Sequence, residues 1–362
     1  MKDFLLRIKN IKIDRDILLF ALALTVLVFS IFRFWISSIS YNSIITLTFT
    51  HNWEGKEDVL KNIIREFEEL HNEEIKIKLN YMPYNNISMA APDGILTGDI
   101  IALDSFMIPE FIGDELIEPE TLTLLTFIHP LYYNIDILAG NGFIRPPRTR
   151  SEFLIQARTI AAEEDGIYAI AMALSQDNPR SHLRDLFSWA LASGTAITEN
   201  EIRELINFVT ILESERLLLP GVFLMEEHEK RDAFINGKTA FMIGTAEDMD
   251  FLRQSLGESL DYTAIPVPDN YIGRPVFVAG SWNLGIARES RHREEALLFS
   301  EFLLEQVSHL ADDWAIHGSG NISTTSDPFY SKLRELYISG DLIDDFEGIS
   351  FEQIRLDIIR NL

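Results

Sequence analysis

From Ile44 onward the apolar residues switch between the two-residue period of strands and the longer period of helices. Ile44 to Thr50 (IITLTFT) is rich in β-branched residues and reads as a strand, followed by the turn His51-Asn52-Trp53-Glu54-Gly55. Asp58 to Leu70 places Val59, Leu60, Ile63, Ile64, Phe67 and Leu70 on one helical face. Ile75 to Tyr81 (IKIKLNY) alternates as a half-buried strand. A Pro-, Asn- and Gly-rich loop leads to a strand at Ile100 to Leu103, ending in Asp104, with a helix from Phe106. This β-α-β-α order predicts a parallel sheet covered on both faces. Ligands on such sheets sit at the carboxyl ends of strands, and here those ends carry Asn52, Trp53 and Asp104.

Further along, Thr126 to Asn134 reads as one strand, and Arg145 to Thr149 as a stiff turn. Ser151 is placed to cap a helix from Glu152 to Ala162. A strand at Ile167 to Leu174 precedes a helix at Leu183 to Ala192 that carries Trp189. Thr198 caps a long helix, and Glu226 to Asn236 forms another, stopped by Gly237. Thr239 to Ile243 is a strand, Ala246 to Ser255 a helix and Tyr262 to Val267 a strand. In Gly273 to Ser290 two apolar runs, Val276 to Ala279 and Leu284 to Ala287, flank a Gly-Ser-Trp-Asn corner. Gly280 would let a ligand approach the backbone there, beside an aromatic, a hydroxyl and an amide. After Arg291 the pattern is helical: 293–308, 308–317, 328–338 and 350–361.

The N-terminus is different. Ile17 to Phe32 carries no charge, five basic residues precede it, and Phe34-Trp35-Ile36 resumes the apolar run after Arg33. With Arg33 snorkelling, the span reaches about 20 residues, enough to cross a bilayer. Trp35 and Tyr41 suit the far interface and the basic segment the cytoplasmic side. A cleaved signal peptide, with Ser38-Ile39-Ser40 at the cleavage site, is the competing reading, and a buried core helix a third. Arg33-Phe34-Trp35 is a poor approach to a cleavage site, which favours an uncleaved anchor.

Composition sharpens this picture. At 362 residues the chain is too long for one ordinary core, so two lobes are expected. Residues 1–40 carry +3 of a net charge of −25, so the rest carries −28. Such a field repels nucleic acid and anionic lipid, and no nucleic-acid partner is expected. The absence of cysteine excludes disulfides, thiolate catalysis and Cys-ligated metals.

Catalytic and metal readings find little support. Glu226, Glu227, His228 and Glu229 are ligand types, but consecutive positions do not converge on one helix face, and a solvated helix start explains them. Asp313 and His317 stand four apart, yet two groups make no site. No His-Glu-x-x-His, Gly-x-Ser-x-Gly or phosphate-loop pattern occurs. No cofactor, metal or enzymatic activity is expected.

Taken in order, ITLTFTHNWEG, GDIIALD, PLYYNIDILAGNGFIRPPRTRSEF, FINGKTAFMIG, YTAIPVP and GRPVFVAGSWNLGIA resemble the extracellular solute-binding proteins of bacterial ABC transporters. The resemblance is to the group containing the maltodextrin- and oligosaccharide-binding proteins, and runs from about Ile44 to the C-terminus. It implies an α/β, two-lobed clamshell of the periplasmic-binding-protein type (type II), each lobe a sheet flanked by helices. By that analogy lobe one is 43–128 plus 266–305 and lobe two 129–265 plus 306–362, preceded by the cytoplasmic basic segment 1–16 and the transmembrane signal-anchor 17–37 that the N-terminal residues themselves indicate. By the same resemblance Trp53, Asn52, Asp104, Ser281, Trp282 and Asn283 face the cleft from lobe one, and Trp189, with Trp314 or Tyr132, from lobe two. Aromatic rings would pack on the C–H faces of sugars while carboxylates and amides bind hydroxyls. Each Trp has a core-packing alternative. Trp189, in a half-apolar helix, fits that alternative best, and Trp282 the cleft. Asp104 also fits a helix cap.

In two places the chain departs from the family: a membrane helix stands where a cleaved signal or a lipid-modified Cys is usual, and the segment after Asp104 is short. Only about 20 residues separate Asp104 from Phe127, so a hairpin that usually walls the cleft is missing, which implies a more open pocket. The reading is a monomeric, membrane-tethered, extracytoplasmic binder of carbohydrate that serves ABC permease subunits. A sensory or interaction domain with a degraded cleft is the alternative, and a hydrolase, resting on acidic residues alone, a third.

Overall fold

The computed structural model describes residues 44–53, 55–83, 86–87, 98–163, 166–175, 183–191, 198–310, 316–317, 326–343 and 351–361. The apolar run at 17–37 lies outside the described residues, as does Trp314. Among the described residues no helix is long and apolar enough to cross a membrane.

The first sheet is laid down by the N-terminal part of this region. β1 (Ile45–His51) leads to α1 (Glu57–Leu70), β2 (Ile75–Tyr81), β3 (Ile100–Asp104), α2 (Ile108–Gly113) and β4 (Leu122–Ile128). Of the face its spacing predicts, α1 buries Leu60, Ile63, Ile64 and Phe67, while Val59 is half-buried and Leu70 at its end is exposed. Each such side chain contributes about 1.5–3 kcal/mol of burial.

At His129-Pro130 the chain leaves this sheet. The strand expected over Thr126 to Asn134 is therefore two: β4 pairs with the first sheet, and β5 (Leu131–Asn134) starts the second. Proline has no N–H and a fixed φ, so it suits a break between ladders.

The second sheet continues through α3 (Ile135–Gly140), α4 (Arg150–Glu163) and β6 (Tyr168–Ala171). After a π-helical turn at Leu183–Phe187 come α5 (Ser188–Leu191), α6 (Glu199–Ser214) and α7 (Glu227–Ile235). β7 (Thr239–Ile243), a 3-10 turn (Ala246–Asp248), α8 (Met249–Leu256) and β8 (Leu260–Thr263) complete it. Ser151 lies inside α4 rather than capping it. The N–H of Glu152 donates to Thr149 Oγ1 at 3.3 Å, while the Ser151 hydroxyl donates to Asp269 at 2.7 Å.

β9 (Val276–Ile286) then returns to the first sheet, followed by α9 (Arg293–Glu305), α10 (Val307–Leu310), β10 (Ile316–His317), α11 (Pro328–Ser339), β11 (Asp341–Ile343) and α12 (Phe351–Asn361). Two short strands thus occupy a region read as wholly helical, and β10 joins β4, a first-sheet strand, although 306–362 was assigned to lobe two.

Among the described residues the first sheet runs β10-β4-β9-β3-β1-β2, with β11 beside β9, and the second runs β6-β7-β5-β8. β1 and β3 are parallel, as the alternating order predicts, but β9 is antiparallel to both β3 and β4. In the second sheet β6 and β7 are parallel while β5 runs against both of its neighbours. Both sheets are mixed, because the chain crosses between them and re-enters from the opposite end.

The second sheet's core is aromatic. Phe153 packs on Trp189 at 4.9 Å and on Phe241 at 5.2 Å, and Trp189 on Phe208 at 4.7 Å. Next to it lies a buried charged cluster. Lys230 Nζ donates to both oxygens of Asp185 (2.9 and 3.0 Å) and to the Ile243 carbonyl (2.6 Å), and pairs with Glu227 at 3.0 Å. Arg184 pairs with Asp185 at 3.1 Å and with Glu227. Asp185 also accepts from the Ala173 N–H at 2.6 Å, tying the π-helical turn to the segment after β6. Burial and the Arg184 charge push the Lys230 ammonium down to about 7, against Asp185, which raises it. Glu226 to Glu229 is thus a structural helix start: the Glu226 N–H donates to Glu229 at 2.9 Å, and Glu227 serves the buried pair.

Candidate functional site

β1 and β3 end at the same edge of the first sheet, since they are parallel. β1 delivers His51, Asn52 and Trp53 there, and β3 delivers Asp104. β9 runs beside β3 with Trp282 opposite Asp104 and Asn283 opposite Leu103. The residues predicted from the first lobe are therefore brought together.

The expected corner is not one. Val276–Ile286 is a continuous eleven-residue strand through the middle of the sheet. Its glycine answers to packing: a Cβ on Gly280 would stand 2.3 Å from the Phe127 ring on β4. Close approach there is by Phe127, not by a ligand.

The corner is also closed, not open as the short segment after Asp104 implied. Trp53 is 4% exposed and Trp282 7%. Their rings stack on one another at 4.6 Å between centroids with 15° between planes. The other surroundings of Trp53 are Phe49 at 5.6 Å, edge-on, and His51 at 6.1 Å. The Trp282 indole N–H donates to Glu247 Oε1 at 2.7 Å. Rings from two segments of the first sheet and a carboxylate from the turn after β7 thus pack together here.

Glu247 was not predicted. It sits in the 3-10 turn directly after β7, which runs parallel to β6, so the carboxyl-end rule that found Trp53 and Asp104 also points to it. The turn is held firmly. Thr245 N donates to Asp248 Oδ2 at 2.9 Å, Asp248 pairs with Arg231 at 3.4 Å, and the Tyr132 hydroxyl donates to the Thr245 carbonyl at 2.6 Å. A Cβ on Gly244 would lie 2.8 Å from the Tyr132 ring and 2.9 Å from Asp248, so only glycine fits between them. Tyr132 is thus buried under the turn, and its neighbour Tyr133 bonds Asp261 at 2.5 Å; neither tyrosine faces outward.

The polar residues take part in local hydrogen bonds. Asp104 Oδ1 accepts from the Phe106 N–H at 3.2 Å and the Ser105 hydroxyl at 3.3 Å, holding the turn that leads towards α2. Asn283 accepts from Thr123 at 2.7 Å and donates to the Ser281 hydroxyl at 2.8 Å. Asn52 and Ser281 are half-buried beside the pair. Trp189 does not join the site: it is fully buried in the second sheet's aromatic core. An alternation reading cannot separate the two fates, because Trp189 sits on a helix apolar on most sides.

His51 is the other unpredicted member. It is fully buried between Phe49, Trp53 and Tyr81, and neither ring nitrogen has a hydrogen-bond partner. Burial pushes its imidazole below the ordinary 6.5, opposed by the charge of Glu57. Two hollows lie elsewhere. One, of about 490 Å³, is bordered by Leu219, Leu224, Glu229 and Lys238; the other, of about 500 Å³, by Asp99, Glu115, Glu289 and Ser290.

Two mixed sheets, exchanged by crossings before β5 and β9, with strand ends converging between them, define a two-lobed α/β binding-protein fold. The chain belongs to the family described as bacterial extracellular solute-binding protein, whose model matches residues 53–307. Solved structures of the same fold include one described with xylan utilization by the thermophilic bacterium Caldanaerobius polysaccharolyticus: 16% identity, 88% of this chain, 95% of that one, TM-score 0.69. The maltose-bound MalE3 of T. maritima shares 18% identity over 88% of this chain and 95% of its own, with TM-score 0.65. The GacH receptor of Streptomyces glaucescens, solved unliganded and with acarbose, shares 16% identity over 88% and 92%, with TM-score 0.66. A search of curated protein sequences finds no match to the chain.

Proposed function

We propose that this solute-binding protein takes a carbohydrate in the cleft between its lobes and presents it to the permease subunits of an ABC transporter. The observation that carries the reading is the Trp53–Trp282 pair beside the carboxyl ends of β1 and β3, with Asp104 and Asn283 next to it. Flat rings with an adjoining carboxylate and an amide match the apolar face and hydroxyl edge of a sugar. Similar structures are described with maltose, with acarbose and with α-D-tagatose, which supports the same ligand class here. Lobe one comprises 43–128 and 266–305, with β10 and β11 added, and lobe two the remainder of 129–362. Residues 17–37 anchor the chain as a single span, with the bulk outside the cytoplasmic membrane, and the protein acts as a monomer without catalysing a reaction. Asn52 and Ser281 join the ligand contacts when the pair parts.

A thermal-shift screen of the full chain against mono- and oligosaccharides tests the ligand class. Binding at a hundredfold excess over Kd adds about 2.7 kcal/mol of stability and raises the melting temperature. No shift with any sugar removes the carbohydrate reading.

A further inference from the structure

The Trp282–Glu247 hydrogen bond joins the two sheets. Trp282 is in the middle of β9, and Glu247 is in the turn after β7. At 4.6 Å between centroids the two indoles touch, so no sugar ring fits between them. Phe49 and His51 flank Trp53 as well. A ligand cannot stack on Trp53 or on the facing side of Trp282 while this arrangement persists. The turn that presents Glu247 is fixed from below by Tyr132 and from behind by Asp248.

We infer that Glu247 is an interlobe latch: its carboxylate holds the Trp282 indole so that the Trp53–Trp282 stack occupies the ligand's place, and a sugar binds only by displacing that contact. The inference rests on the carbohydrate reading of the site, and it assigns to the acid a regulatory role over ligand entry. Releasing the latch raises the fraction of molecules competent to bind, and apparent affinity rises by the same factor.

The test uses the full chain, whose lack of cysteine allows two labels to be placed without background. Glu66→Cys on α1 and Glu213→Cys on α6, both exposed, carry nitroxides, and their separation is measured by pulsed electron resonance without ligand. Glu247→Ala and Trp282→Phe, which remove acceptor and donor, are expected to lengthen and broaden the separation. Their combination should do no more than either alone. Glu247→Gln keeps an acceptor oxygen and should stay close to the parent. Unchanged distances in both Glu247→Ala and Trp282→Phe overturn the latch, as does equal opening in Glu247→Gln. With maltose, tagatose and stachyose as probes, Glu247→Ala should bind about tenfold more tightly, the weight of one hydrogen bond to a charged group. A weaker affinity would make Glu247 a direct sugar contact and also overturn the latch. If no probe binds even the parent, the carbohydrate reading fails while the distances still decide the latch.

Discussion

Trp53 and Trp282 stack at 4.6 Å with their planes 15° apart, although one follows the first strand and the other lies in the ninth. The contact closes the edge of the first sheet and nearly removes both rings from water. Such a pair holds the fold as well as marking a site, and the two roles separate by substitution. Trp53→Ala should cost about 3–5 kcal/mol, because a large buried ring is lost and its neighbours collapse only in part. Trp53→Phe keeps a ring in place and should lose less. Urea unfolding of both variants measures the difference, and equal stability of Trp53→Ala and parent would mean that the pair is open in solution.

Gly280 answers a packing question that resembled a functional one. Gly280→Ala puts a methyl 2.3 Å from a Phe127 ring that is itself fully buried. The expected loss is about 1–3 kcal/mol, the usual penalty of an overfilled core. The combination with Phe127→Leu should recover part of it. A neutral Gly280→Ala in thermal unfolding would show that the strand has room there.

Much of the fold was legible because long periodic segments announce themselves. The α1 stripe, the β1 and β3 strands and the order of segments all follow from apolar spacing. What stayed hidden was short or non-local. β10 has two residues and β11 three, too few to show any period. The break at Pro130 lies within a run of apolar residues that reads as one strand. β9 was read as two strands because glycine and polar residues interrupt its apolar runs, whereas in a central strand they face Phe127, Thr123 and Glu247. Trp53 and Trp282 could be placed at a sheet edge from sequence, but their mutual stacking could not, since nothing local pairs them. Glu247 was missed because its partner is on another lobe's strand.

The buried cluster around Lys230 gives a sharper test of electrostatics. Lys230→Met leaves Asp185 buried with Arg184 as its remaining cation and frees the Ile243 carbonyl. Removing one member of a buried pair typically costs about 3–5 kcal/mol, because the remaining charge has lost its compensation. Lys230→Met with Asp185→Leu removes both charges and should regain part of that loss. Denaturant midpoints of the single and double variants check this. A double variant less stable than the sum of the singles would show that Asp185 is held chiefly by the Ala173 N–H and Arg184.

His51 makes stability depend on pH in a direction that follows from its burial. Its folded pKa is lowered below 6.5 by desolvation, with Glu57 opposing, whereas in the unfolded chain it titrates near 6.5. Above that value both states hold a neutral imidazole, and His51 adds no slope. As pH falls below it, the unfolded chain takes up a proton that the folded chain resists, so unfolding is favoured. The stabilisation associated with neutral His51 is therefore present at pH 7–8 and is lost progressively below about 6.5. Carboxylates add their own acid dependence, so the informative quantity is the difference between the parent and His51→Phe. His51→Phe fills the space between Phe49, Trp53 and Tyr81 without ring nitrogens to satisfy, and should lose less stability than the parent between pH 7 and 5. Because His51 lies against Trp53, indole fluorescence should report the same transition. Parallel pH curves for the two proteins would show that the imidazole gains a partner, or reaches water, once it is protonated.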